Sequence, residues 1–382
     1  MYVYAFLEDF VLLYPVYAVL FADAGLSPAA ISSLFVIWSV TTFSFELPSG
    51  LWADVFSRRL LLVVAPLLAG VGFGLWVAFP SYPAFAAGFV LWGVGSALRS
   101  GTMQALVYEE LGRAGAAGAY ARLIGRSEAV SLLAVVAASA VAAPVLAGGG
   151  YRAAGVASVA VCVLCAVAGW FLPESRGAGR GGDADGGGAS LASVAGEGWA
   201  QLRGEPAVRW ALVLVMVVEG VTALDEYVPL LVRSTGVAAA SVPLLVMVVT
   251  VGDAVGGWLA GRGVRWLAPV LAVGAVCLAA GSLGGRPGGL VLVAVAFGVF
   301  RWAMAAADAR LQERIGDGAR ATVTSVAGLG SETVAVLMFA SWALGSRWGD
   351  AGVLMGLASV PYVVVAVVLG LAGRRGGVHR EM

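Results

Sequence analysis

The chain has no lysine and no asparagine, and only one histidine and three cysteines in 382 residues. Charged residues make up 12% of it, against about 25% in soluble domains. Each scarcity excludes something. The single histidine, His379, stands in the C-terminal tail, so no histidine–carboxylate pair forms at membrane depth. Cys162, Cys165 and Cys277 all fall in apolar segments without charge. A thiolate there would be unpaired in hydrocarbon, so Cys162-x-x-Cys165 reads as two small apolar residues on a lipid-facing helix. The glycines are spread through apolar segments, where they serve packing, and form no nucleotide-binding loop. No metal-ligand cluster and no nucleophile–base constellation occurs. An enzyme, an ATP-driven pump, a metal, a cofactor and a nucleic-acid partner are therefore not expected. The only side-chain amides are Gln104, Gln201 and Gln312, a poor set for holding sugars.

What is present is hydrophobic: 60% of the residues, with a mean hydropathy of +0.92. The apolar runs are continuous and lack strand alternation, which excludes a barrel. Segments 2–22, 30–53, 60–80, 84–107, 129–149, 153–172, 208–232, 238–261, 266–285, 289–309, 322–344 and 351–372 are each about long enough to cross a bilayer. The third, sixth, ninth and twelfth carry no charged residue. Most of the others hold charges at membrane depth: Glu8, Asp9, Glu46, Arg99, Glu128, Glu219, Asp225, Glu226, Asp253, Arg301, Asp308 and Glu332. A charge at the centre of a bilayer helix costs at least ~2.5–3.5 kcal/mol, so these must face protein or water. Every third helix is thus expected to face lipid.

All 23 basic residues are arginine. With the N-terminus inside, 17 fall in even-numbered loops and the tail, and 4 (Arg152, Arg233, Arg286 and Arg347) in odd-numbered loops. The positive-inside rule then puts both termini in the cytoplasm of a multi-pass protein of the plasma or bacterial inner membrane. The first span lacks a basic leader and carries Glu8 and Asp9, so it does not read as a cleaved signal. The chain starts almost inside this helix, so a few natural N-terminal residues are expected to be missing.

The stretch 173–207 is rich in glycine and reads as a flexible cytoplasmic linker. It separates an N-terminal six-helix bundle, 1–172, from a C-terminal one, 208–372, with a tail at 373–382. The two halves repeat. Gly25 matches Gly236, and Glu8 matches Glu219, at an offset of 211. Glu46 and Gly50 match Asp253 and Gly257 at 207. Ser127-Glu128 matches Ser331-Glu332, and Glu109 matches Glu313, at 204. Parallel six-helix repeats are a transporter architecture.

The loop after the second helix reads Gly50-Leu51-Trp52-Ala53-Asp54-Val55-Phe56-Ser57-Arg58-Arg59. It resembles the G-x-L-A-D-R-x-G-R-R signature of the major facilitator superfamily, with Val55 and Ser57 departing from it. The second half has Gly257-Trp258-Leu259-Ala260-Gly261-Arg262, with glycine in place of the aspartate. Ser139, Ala143, Pro144, Ala147 and Gly148 form a degenerate version of the G-x-x-x-G-P-x-x-G-G pattern of the drug/proton antiporter branch. The resemblance covers the whole chain. It implies an all-α membrane protein of twelve transmembrane helices, in two pseudo-symmetric six-helix bundles around a central cavity. Helices 1, 4, 7 and 10 would line the cavity. Asp54, Arg58 and Arg59 would form a latch between the halves.

The expected transport residues follow. Glu8, Asp9, Glu219, Asp225, Glu226 and Tyr227 lie on the first helix of each half and are candidates for proton coupling or substrate binding. Arg99 and Arg301 need carboxylate partners: a helix 1 acid or Glu128 for the first, Asp225 or Glu226 for the second. Glu46, Gly50, Asp253 and Gly257 belong with the signature loops and suit gating. Glu128 and Glu332 sit in first helical turns, where an acid complements the helix dipole. Metal ligands are not expected. The expected function is proton-driven efflux of small amphipathic molecules by a monomer in the bilayer. Uptake of a polar solute by proton symport stands as the alternative, and a non-transporting sensor as a third.

Overall fold

The computed structural model describes residues 1–175, 201, 203–316 and 319–378, leaving out the side chains at 47, 50, 51, 53–55, 321 and 372–378. All elements among them are helical. Among the described residues, nine helical runs are long and apolar enough to cross a membrane, and one of these, 117–170, is long enough for two crossings. The first and fourth crossings are built from shorter pieces. The chain divides into two compact units, Met1–Ala178 with Gly236–Met247, and Gly179–Thr235 with Val248–Met382. Most of the expected linker, 176–200 and 202, lies outside the described residues, as does His379.

The N-terminal unit begins with α1 (Tyr2–Asp9) and α2 (Tyr17–Asp23). The sequence predicts one helix over 2–22, and the structure breaks it. Pro15 has no N–H to give and its ring crowds the preceding turn. The backbone tightens into short-range bonds, Tyr14 to Val11 and Val16 to Leu13. The N–H of Leu13 donates instead to Ser158 Oγ at 3.1 Å. A buried hydroxyl from another helix thus satisfies the group that the break releases.

Next come α3 (Pro28–Val55), capped by Ser27 on Ala30 N at 3.2 Å, and α4 (Arg58–Ala78), capped by Ser57 on Leu60 N at 3.1 Å. The fourth crossing is α5 (Tyr82–Arg99) followed by α6 (Thr102–Arg113), joined at Gly101 with φ +71°. Helix α7 (Tyr120–Trp170) has a non-helical residue at Gly150, with φ 61° and ψ −163°. The chain reverses there: Ser131 Oγ donates to Ala5 O at 3.3 Å and Cys165 Sγ to Tyr4 O at 3.7 Å. Residues on either side of Gly150 therefore meet the same turn of α1.

The C-terminal unit has α8 (Pro206–Val221), a 3-10 stretch Thr222–Tyr227 and α9 (Val228–Ser234), again one crossing broken in the middle. Then follow α10 (Val242–Trp258), α11 (Leu267–Leu283), α12 (Leu290–Gln312), α13 (Arg320–Gly345), α14 (Ala351–Leu357) and α15 (Val360–Val378). The helical backbone thus runs into the expected tail at 373–382. The predicted repeat has a backbone signature: Gly25 and Gly236 take φ +89° and +87° at the same point after the first crossing of each half. A left-handed residue there needs glycine.

Candidate functional site

In the N-terminal unit, Glu8 and Asp9 end α1 where the break begins, and Arg99 ends α5 before the Gly101 bend. Arg99 pairs with Glu8. Asp9 lies in the field of Arg99, close to the Ser131 hydroxyl. The helix-ending positions matter, because they place all three charges beside irregular backbone. The three border a cavity of about 190 Å³ whose walls include Tyr14, Trp38 and Trp92. Cys162 and Cys165 also line it and are buried. That corrects the lipid-facing expectation: α7 turns its small-residue face inward, beside Gly155 and Ser158, and only the opposite face is apolar and exposed.

The C-terminal unit carries a second cluster. Arg301 on α12 lies 3.7 Å from Asp253 on α10, and Asp225 in the 3-10 break shares their electrostatic field. The partner of Arg301 was expected to be Asp225 or Glu226. Asp253 takes that place because α10 and α12 cross with glycines in contact, which brings the two side chains together. A Cβ on Gly256 would stand 1.9 Å from Gly298 O. Gly257, the other expected gating residue, sits against the Arg301 side chain, where a Cβ would meet Cγ at 3.7 Å. Asp253 and Gly257 thus both lie against Arg301 on α12.

The remaining candidates separate. Glu219 accepts a hydrogen bond from Ser331 at 2.8 Å, linking α8 to α13. Glu226 is half-buried in the break. Tyr227 was expected to face a ligand, but it is fully buried and stacks on Trp342 with centroids 3.8 Å apart. Its apolar ring body gains more from that core contact than from a wet face. Glu46 is exposed. Glu128 and Glu332 were expected in first helical turns, but their helices begin earlier, at Tyr120 and Arg320, so both lie beyond the reach of the helix dipole's positive end, Glu128 exposed and Glu332 half-buried. Beyond their helical backbone, Gly50 and Asp54 lie outside the described residues.

The described part of the signature loop is anchored inside its own unit. Arg58 pairs with Glu109, and Arg59 lies 5.5 Å over the Trp170 ring. Glu174, which the sequence reading did not single out, accepts from Arg58 N at 2.8 Å and from Ser57 Oγ. It therefore sits on the positive end of α4. Ser175 donates through N–H and Oγ to Glu110 at 2.8 and 3.0 Å. With Arg113, these bonds hold the Glu110 carboxyl below its ordinary range. No pattern in the sequence pointed to Glu174, because its partners are a backbone N–H and a hydroxyl more than a hundred residues away. Glu174→Ala is expected to cost about 1 kcal/mol of stability, the size of a lost helix cap. A thermal unfolding series checks this, and an unchanged midpoint refutes it.

Two helical units, each with its own arginine–carboxylate pair among membrane-crossing helices, define a multi-pass membrane carrier. Among the described residues no group of metal-ligand side chains occurs. The chain belongs to the Major Facilitator Superfamily, whose model matches residues 2–340. It is a secondary transporter and not an enzyme, working on a small molecule within a lipid bilayer. Among solved structures, a point variant of the nucleoside transporter NupG is 12% identical with a TM-score of 0.76, covering 97% of each chain. A D-xylose-proton symporter is 16% identical with a TM-score of 0.67, over 96% of this chain and 94% of that one. A bacterial homologue of the human lysosomal transporter Spinster is also 16% identical, with a TM-score of 0.67, over 97% and 93%. No curated protein matches the sequence.

Proposed function

We propose that the chain is a proton-coupled exporter of small amphipathic molecules, working by alternating access as a monomer in the plasma or inner membrane. Both termini and the 173–207 linker lie on the cytoplasmic side in this reading. The observation that carries it is the pairing in each unit of an arginine with a carboxylate next to a broken first crossing: Arg99 with Glu8 at the end of α1, and Arg301 with Asp253 in the field of Asp225, which lies in the 3-10 break. A proton arriving on such a carboxylate cancels its charge, frees the arginine and changes the local balance. That is how proton binding can drive a conformational change. The excess of acids over the lone arginine in each cluster favours cationic or neutral cargo over anions. The scarcity of amides supports amphipathic cargo over sugars.

The test is flux in proteoliposomes under an imposed pH gradient, with ethidium as the amphipathic cation. Glu8→Gln, Asp225→Asn and Glu226→Gln are compared with the parent. At least one is expected to abolish gradient-driven flux. Should all three couple as the parent does, the proton-coupling sites lie elsewhere.

A further inference from the structure

The two signature loops repeat in sequence but differ in charge. At the offset of 207 that matches Gly50 with Gly257, Arg58 falls on Arg265 and Asp54 on Gly261. In the N-terminal unit Arg58 is paired with Glu109. In the C-terminal unit Glu313, which matches Glu109, lies in the field of Arg310 instead. Arg262 and Arg265 form no ion pair among the described residues. They lie over indole rings, Arg262 over Trp258 at 5.0 Å and Arg265 over Trp266 at 5.6 Å. An indole face orients a guanidinium but does not neutralise it.

The loop that carries these arginines, 259–266, is pinned to its own unit. Gly261 and Gly263 turn it with φ of +79° and +67°. Trp302 Nε1 donates to Arg262 O at 2.9 Å and Arg310 Nη2 to Val264 O at 3.0 Å. Both donors come from α12, so the backbone is held while the side chains of Arg262 and Arg265 stay exposed. Arg314 stands one turn beyond Arg310 and lies in its field. Even with Asp308 and Glu313 of the same helix end counted against them, the four arginines leave two positive charges in excess. Trp258 and Trp266 are exposed, as indoles are at a membrane–water boundary. Helix α11, which follows the loop, carries no charge and exposes Val273 and Val276. Unneutralised cations thus stand next to a surface made for hydrocarbon.

We propose that the loop between α10 and α11 binds the headgroup of an anionic phospholipid, whose phosphate accepts from Arg262 and Arg265 while its acyl chains lie along α11. The guanidinium fork matches phosphate oxygens. Basic clusters at the ends of membrane helices select anionic lipids. A zwitterionic lipid brings its own cation and leaves the positive excess in place. The bound lipid supplies to this loop the counter-charge that Glu109 supplies to Arg58 in the other unit. The site goes beyond the transport reading: it lies away from both arginine–carboxylate clusters, and it holds whether or not protons drive flux.

The experiment counts bound lipids by native mass spectrometry on the full chain in detergent, titrated with dioleoylphosphatidylglycerol or dioleoylphosphatidylcholine. The parent is expected to prefer phosphatidylglycerol roughly thirtyfold, about fivefold for each loop arginine. Arg262→Gln combined with Arg265→Gln is expected to abolish the preference. Arg286→Gln combined with Arg347→Gln, at exposed arginines of odd-numbered loops, is expected to keep it. Gly261→Asp and Gly261→Asn place side chains of one shape at a left-handed position that both tolerate. Gly261→Asp puts back the missing acid and is expected to bind phosphatidylglycerol about fivefold more weakly than Gly261→Asn. Glycerol phosphate, the headgroup without its acyl chains, is expected not to displace the lipid at equal concentration. The proposal is overturned if the parent retains both lipids equally, if glycerol phosphate displaces the lipid, or if the Arg262→Gln, Arg265→Gln protein keeps the preference. Equal binding by Gly261→Asp and Gly261→Asn overturns it too. The comparison of the two lipids uses only the parent and stands even if a variant fails to fold.

Discussion

Gly256→Leu is expected to remove the folded protein from detergent extracts. The reason is a crossing at which two backbones touch. Helices α10 and α12 meet through Gly252 and Gly256 on one side and Ala294 and Gly298 on the other, two small-x-x-x-small stretches facing each other. A Cβ on Gly252 would lie 2.2 Å from Ala294 O, and one on Gly256 would lie 1.9 Å from Gly298 O. The obstacle is backbone, so no rotamer change relieves it. Overpacking a core costs about 1–3 kcal/mol where side chains can shift, and a leucine here exceeds that. Size-exclusion profiles and unfolding midpoints read the result. Gly256→Ala separates packing from function: it is expected to fold with a lower midpoint and to show weaker gradient-driven flux. The crossing sets Asp253 opposite Arg301, and a small separation lengthens a pair that already stands at 3.7 Å. A Gly256→Leu protein as stable as the parent would refute the account.

Arg99→Leu is expected to lose both stability and flux. It leaves Glu8 and Asp9 adjacent at a helix end without their counter-charge. Removing one partner of a fully buried pair costs about 3–5 kcal/mol. Arg99 is 45% exposed, so about 2 kcal/mol is the expected loss, equivalent to roughly thirtyfold in an equilibrium. The double variant Arg99→Leu with Glu8→Leu removes both charges and is expected to recover most of the stability while flux stays absent. That contrast distinguishes a charge needed for transport from one needed only for folding. Recovery of flux in the double variant would make the pair a strut. Arg99→Lys keeps the charge but not the planar fork, and is expected to fall between.

Much of this protein was written in its sequence. The spans, the repeat and the family could be read because the bilayer imposes a length on every crossing and a penalty on every charge within it. Those are one-dimensional constraints. Gly25 and Gly236 were matched by position alone, and the structure gives both the same left-handed backbone. Arg99, a cation at membrane depth, demands an acid, and helix 1 supplies Glu8.

Other features depended on which surfaces meet. Pro15 marks a helix that is difficult to continue, but only Ser158, reaching in from α7 to Leu13 N, shows how the break is satisfied. Cys162 and Cys165 look lipid-facing when their segment has no charge, since composition does not say which side of a helix turns inward. Tyr227 lies on a crossing whose sequence suits a ligand group, and only the packing turns its ring onto Trp342. Asp253 stands near the second signature loop in the sequence, and only the glycine crossing of α10 and α12 brings it to Arg301. The sequence determined how many times the chain crosses the membrane and which charges must be sheltered, because each is a local cost. Only the tertiary structure decided which charge shelters which, because pairing is set by a few ångströms of approach between helices that lie far apart along the chain.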